Sequence, residues 1–134
     1  MTKERLRNYK YIEKEREQLL HQLEEIEAAL YNPRIQRLTG MPSAPSPDNA
    51  QENLAIKHTE LMDRYQAKRE ELAAEQLAIE DAIEALDPTA RMLMRYRYLD
   101  GLTWEEVCVQ MSYSWAQTHR IHGAALRKLK DGIE

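Results

Sequence analysis

The length, composition and charge of the chain exclude several classes of protein. Its 134 residues, of which 43% are hydrophobic and 31% charged, leave no room for a second full-sized core. With only four glycines and no phenylalanine, the composition favours an all-α fold. The lone Cys108 rules out an internal disulfide, and no apolar run has the length of a secretory signal or a membrane span. We expect a cytoplasmic protein, with Cys108 as a buried, unreactive thiol.

The first predicted element is a long helix with a narrow apolar stripe. Seven side chains follow one another at steps of three and four residues, the spacing of a heptad seam, with one charged interruption. They are Tyr9, Ile12, Arg16, Leu19, Leu23, Ile26 and Leu30. Asn32-Pro33 marks a kink or the end of this helix, because the residue before a proline is disfavoured in the α region.

A proline-rich loop at about residues 39–50 leads into a second predicted helix, from about Gln51 to Leu86. Its stripe consists of Leu54, His58, Leu61, Tyr65, Lys68, Leu72, Glu75, Ile79, Ala82 and Leu86. A frame shifted to Arg69, Gln76 and Ile83 fits the far end about as well. We expect residues 1–86 to form a long, coiled-coil-like helical hairpin that makes a homodimer through its N-terminal helices.

A small domain of three short helices is predicted for residues 87–134. Each expected helix end has a residue suited to it. These residues are Asp87 before Pro88, Gly101, Thr103 with Glu106, and Ser114. Residues 112–114 then form a short turn, so the order is helix, turn, helix. The segment 111–130 has four Lys or Arg and no acid, although the formal net charge of the chain is −4.

This C-terminal stretch resembles a known DNA-reading module. Residues 96–130, YRYLDGLTWEEVCVQMSYSWAQTHRIHGAALRKLK, are similar to the fourth region of bacterial sigma factors, which reads the −35 promoter element. The resemblance runs from Leu86 to Lys130. A longer resemblance is to phage and prophage transcription regulators of the autolysin-regulator and sigma-like control type, in which a helical N-terminal part precedes such a module. It implies a DNA-binding regulator of phage or prophage late genes, acting at promoters as a dimer.

The resemblance places the recognition helix after Ser114, so its side chains are candidate contacts to double-stranded DNA. The candidates are Ser114, Trp115, Gln117, Thr118, His119, Arg120, His122, Arg127, Lys128 and Lys130. Sigma factors usually have basic residues soon after the serine, whereas this chain has Trp115-Ala116-Gln117. We therefore expect a target other than the standard −35 hexamer. RNA polymerase is a second candidate partner.

The same residues can also be considered as a metal site or a catalytic site. His119 and His122 have a spacing that could hold a metal, but no further ligands lie nearby in sequence, so we expect no metal and no cofactor. No phosphate loop or catalytic arrangement is visible, so we expect no enzyme. Tyr98 and Trp104 are expected in the core, although Trp115 is as suited to packing over the turn as to DNA. Two alternative functions remain: a phage small terminase-like DNA-packaging subunit, and a sigma-like protein that binds polymerase without reading DNA.

Overall fold

A computed structural model describes residues 1–31 and 47–131, and this part of the chain is helical without any strand. Its five α-helices are α1 (Lys3–Tyr31), α2 (Pro47–Ile83), α3 (Pro88–Met94), α4 (Trp104–Met111) and α5 (Trp115–Asp131). A π-helical turn, Arg95–Leu99, continues α3. The predicted all-α fold is confirmed. In the described segments no helix is both long and apolar enough to cross a membrane.

The bounds of α2 differ from the prediction at both ends. The helix begins at Pro47 rather than Gln51, because a proline lacks a backbone N–H and is therefore tolerated in the first turn, where no helical acceptor exists. It ends at Ile83, where the Leu86 N–H closes the turn on the Ile83 carbonyl at 3.0 Å. The remainder of the predicted loop, residues 39–46, and the Asn32-Pro33 step lie outside the described residues.

The chain divides into two compact units. The hairpin unit is Lys14–Glu70, and the terminal unit combines Met1–Glu13 with Glu71–Glu134. The boundary that we predicted between residues 86 and 87 lies inside the terminal unit. Independent folding of residues 87–134 therefore stays a prediction.

In the hairpin unit, α1 and α2 pair in antiparallel order. Lys68 Nζ lies 2.8 Å from Glu15 Oε2, and His58 Nε2 lies 3.1 Å from Glu27 Oε1. The residue numbers therefore increase in opposite directions along the two helices. In this unit the predicted stripe residues of both helices are buried or half-buried. Arg69, from the shifted frame of α2, is exposed. In the hairpin unit the buried stripe therefore follows the frame that contains Lys68, whereas at the far end of α2 Ile83 of the shifted frame is also buried.

In the terminal unit, one hydrophobic core joins the start of α1, the end of α2 and the short helices. Its most deeply buried hydrophobic side chains are Leu6, Ile79, Ile83, Leu93, Met94 and Val107. Arg5 binds both carboxylate oxygens of Glu75, at 2.9 and 3.1 Å, so the polar stripe position Glu75 is sheltered by an ion pair. Tyr98 is buried, and Trp104 packs against the core from a half-buried position.

Candidate nucleic-acid interface

The ends of the short helices are set by local hydrogen bonds, as the sequence predicts. Asp87 accepts from the Ala90 N–H at 2.9 Å, Thr103 Oγ1 from the Glu106 N–H at 3.2 Å, and Ser114 Oγ from the Gln117 N–H at 3.2 Å. Each side chain satisfies one of the N–H groups that a helix start leaves without a partner. Gly101 has φ +73°, in the left-handed region that favours glycine. These caps fix where α3, α4 and α5 start.

The turn between α4 and α5 depends on Ser112. This residue has φ +58° and ψ +39°, a left-handed conformation that is rare for a residue with a side chain. Its backbone N–H caps α4 on the Val109 carbonyl at 3.2 Å. Because the left-handed residue ends α4 at once, only residues 112–114 separate the two helices. The structure therefore contains a short helix, a tight turn and a second, longer helix.

Helix α5 has a buried face and an exposed face. The buried face consists of Thr118, His122, Ala125 and Leu129, at steps of four, three and four residues. The exposed face, which we call the basic stripe, consists of Gln117, Arg120, Ala124, Arg127 and Lys128. Lys130 is also exposed, near the end of the helix. Among the described side chains no acid pairs with Arg120 or the three later basic residues. Four cations of α5 are thus available to an external anion.

Two of the predicted DNA contacts, Thr118 and His122, point into the protein. Thr118 is fully buried, with Oγ1 at 3.4 Å from Sγ of the half-buried Cys108. His122 is 6% exposed, and its Nε2 lies 2.6 Å from the Tyr98 hydroxyl. Because both residues are polar, their type gave no sign that they are buried. Their spacing to Ala125 and Leu129, however, is that of an inward helical face. They support the recognition helix from within and leave the outer surface to their neighbours.

Burial keeps His122 neutral. Desolvation is the main cause that lowers its pKa from the ordinary 6.5 to about 4, and the positive charges of Lys3, His119, Arg97 and Arg7 add to the effect. Burial also raises the pKa of Tyr98. At neutral pH two uncharged groups therefore share the short hydrogen bond between α5 and the π-helical turn.

The other predicted contacts remain at or near the surface. Ser114, Trp115, Gln117 and Arg120 are exposed at the start of α5, and His119 is half-buried. The His119 ring lies between two indoles, with its centroid 4.5 Å from that of Trp104 and 4.4 Å from that of Trp115. Behind Trp104, the Arg97 guanidinium carbon is 4.7 Å from the ring centroid. We call Trp104, His119 and Trp115 the aromatic column.

A capped helix, a three-residue turn and a following helix whose basic residues have no acidic partner among the described side chains are the arrangement of a helix-turn-helix. Residues 82–131 match the protein family described as sigma-70, region 4. The C-terminal helices thus form a sigma region 4-like helix-turn-helix, and the predicted resemblance to the fourth region of sigma factors is confirmed. This family is a DNA-binding one rather than a family of enzymes. Comparison with curated proteins finds no match, and comparison with solved structures finds none either.

The structure brings no metal ligands together in the part of the chain that it describes. No three His, Cys, Asp or Glu side chains lie there within reach of one ion. His119 and His122, which have a metal-like spacing in the sequence, instead contact the same indole of Trp104, with ring centroids 4.5 Å from it in both cases. In this structure both histidines pack α5 against Trp104 of α4.

Proposed function

We propose that this protein is a sequence-specific transcription regulator that places α5 in the major groove of promoter DNA. The observation that carries the proposal is the basic stripe, whose cations have no acidic partner among the described side chains. Phosphate groups are the anions that such a surface attracts most strongly, and their neutralisation releases counterions from DNA. Acting on promoter DNA, such a protein works in the cytoplasm.

Within the stripe we assign base contacts to the start of α5 and phosphate contacts to its end. The N-terminal residues of a recognition helix meet base edges, whereas flanking cations meet the backbone. Gln117 and Arg120 can each form a paired hydrogen bond, with adenine and guanine respectively. Arg127 and Lys128 of the stripe, and Lys130 near the end of the helix, lie about two to three turns beyond Arg120 and are suited to phosphates.

Replacement of Gln117 and Arg120 by alanine tests the assignment. We expect each substitution to weaken binding to the selected site by about 5- to 150-fold, the range for losing a paired hydrogen bond to a base at about 1–3 kcal/mol. Binding to unrelated duplexes should change little. The measurement is fluorescence anisotropy with duplexes selected from random DNA at about 150 mM salt, where nonspecific phosphate binding is weakened.

Lys128→Ala is the matched control for a phosphate contact. It should lower affinity for every duplex by a similar factor and reduce the steepness of the salt dependence by about one unit. Equal loss on selected and unrelated DNA for Gln117→Ala and Arg120→Ala would contradict the base-reading role. Failure of the native protein to enrich any site would contradict the proposed function as a whole.

We also propose that the regulator acts as a dimer through the hairpin unit. Leu23 is the one hydrophobic side chain buried among those described in this unit, so the helix pair leaves much of its stripe half-exposed. A groove along the pair is lined by the apolar Ile26 and Leu61 and by polar and charged residues, among them Glu25 on α1 and Lys57 on α2. In a two-fold dimer the same patch faces itself. Glu25 of one copy can then pair with Lys57 of the other across the apolar residues.

Charge reversal tests this dimer. We expect Glu25→Lys to raise the dissociation constant measured by sedimentation equilibrium about tenfold or more, because it sets like charges opposite each other. Combining it with Lys57→Glu should restore association. Glu24→Lys, an exposed position that does not line the groove, is the control and should leave the dimer intact. A monomer at micromolar concentration in the native protein would contradict the proposal.

Phage or prophage late-gene control is the biological setting we propose, because a helical region precedes the sigma region 4-like module as in that class of regulator. The two alternatives have distinct outcomes. A ring of eight or more subunits would favour a small terminase-like packaging role. Capture of RNA polymerase that survives Gln117→Ala and Arg120→Ala, with no DNA site enriched, would favour a polymerase-binding protein that does not read DNA.

A further inference from the structure

Trp115 is an aromatic side chain that is held at the surface rather than buried. It is the first residue of α5, and 53% of it is exposed. Its ring contacts His119, one helical turn later, and His119 in turn packs on Trp104. A large ring that is half in water contributes less to a core than a buried one. The aromatic column therefore presents Trp115 in a defined position instead of drawing it inward.

The position of His119 in the aromatic column is explained by its ring contacts. Its Nε2 atom is buried and has no hydrogen-bond partner among the described residues. A buried polar atom without a partner is costly, so hydrogen bonding does not explain this ring. The His119 ring packs on both indoles at a tilt, with interplanar angles of 45° for Trp104 and 47° for Trp115. His119 is thus a positioning residue for Trp115, with Trp104 and the Arg97 guanidinium behind it.

We infer that Trp115 reads thymine, through contact of the indole with the 5-methyl group in the major groove. The inference rests on the proposed function, which places the start of α5 at the base edges. Among the base-pair edges in that groove, the thymine methyl is the apolar feature, and apolar side chains recognise it by contact. Trp115, Gln117 and Arg120 all lie within the first two turns of α5, so the helix start offers one apolar and two polar readers.

Replacement of thymine by uracil in the selected duplex removes only the methyl group and tests the inference directly. At one thymine we expect uracil to weaken binding of the native protein about fourfold, the effect of withdrawing one methyl-sized group from apolar contact. The same replacement should leave the affinity of Trp115→Ala unchanged. Val109→Ala is the control, since this 75% exposed apolar residue lies on α4 and should keep the full uracil effect.

The role of His119 is tested by two substitutions. His119→Phe keeps a flat ring and should retain the coupling between Trp115 and the methyl group, whereas His119→Ala should reduce it. The protein could bind a specific DNA site in which no thymine-to-uracil replacement has an effect that depends on Trp115. That result overturns the inference and leaves the proposed function in place. A selected site that lacks thymine overturns it as well. Absence of all specific binding overturns both.

Discussion

Leu6→Ala is expected to lower the free energy of unfolding of the DNA-binding helices by about 2–5 kcal/mol. Leu6 is 1% exposed and belongs to the same hydrophobic core as Ile79, Leu93 and Leu129. Its truncation leaves a cavity in the terminal unit, although it lies more than 80 residues before the helix-turn-helix in the sequence. Urea unfolding followed by tryptophan fluorescence measures the effect, because Trp104 and Trp115 both lie in this unit.

Leu77→Ala is the matched control, since it removes the same atoms from a side chain that is 62% exposed in the same unit. A change within about 0.5 kcal/mol is expected for such a surface position. If Leu6→Ala were equally mild, the start of α1 would contribute little to the core, and residues 87–134 would form the independent domain that the sequence predicts. A large loss would show that the stability of the helix-turn-helix depends on the start of α1.

Acid is expected to destabilise the terminal unit through His122. The pKa of this residue is about 4 in the folded protein, compared with 6.5 ordinarily. Between these values the unfolded chain binds a proton that the folded chain does not, so stability falls as the pH decreases. The contribution of His122 is complete above pH 6.5 and is lost progressively towards pH 4. The total loss attributable to this group is about 3 kcal/mol.

The comparison of native protein with His122→Gln isolates this contribution from other titrating groups. Urea unfolding at pH 7, 6, 5 and 4 should show a steeper loss of stability for the native protein than for the variant. Parallel pH profiles would contradict the assignment. If the variant does not fold, NMR titration of the His122 ring in the native protein provides the answer, and an apparent pKa near 6.5 would be inconsistent with burial.

The same histidine connects stability with DNA reading. His122 joins α5 to Tyr98, and its ring contacts Trp104 in the aromatic column. Protonation would place a charge in the layer that supports the exposed readers of α5. We therefore expect affinity for the selected DNA site to decrease in parallel with stability below pH 6. This expectation concerns the support of the helix, since His122 itself is buried.

Several features of the fold were predictable because their causes are local. Asp87, Thr103 and Ser114 cap helices by bonding an N–H three residues ahead, so neighbouring residues decide the outcome. Gly101 ends its helix because it lacks a side chain. The three-and-four spacing of the α1 stripe likewise follows from the helical repeat. These local signals are enough to locate the helix-turn-helix in the sequence.

Local signals could not choose between two frames in α2. The frame that contains Glu75 and the one that contains Gln76 have comparable apolar residues, but Glu75 is sheltered because Arg5 binds it from α1. Thr118 and His122 were predicted at the DNA surface because the resemblance places them in the first turns of the recognition helix. Their burial depends on Cys108 and Tyr98, which belong to other elements. In each case a residue distant in sequence supplied the deciding contact.

The sequence by itself therefore determined the helical class, the capped ends of the short helices and the sigma region 4-like character of the C-terminus. Only the tertiary structure decided which face of α5 is exposed, that Leu6 shares a core with the helix-turn-helix, and that His119 packs on Trp104 of α4. The physical reason is that caps and turns are completed by neighbours within four residues, whereas burial depends on elements brought together by folding.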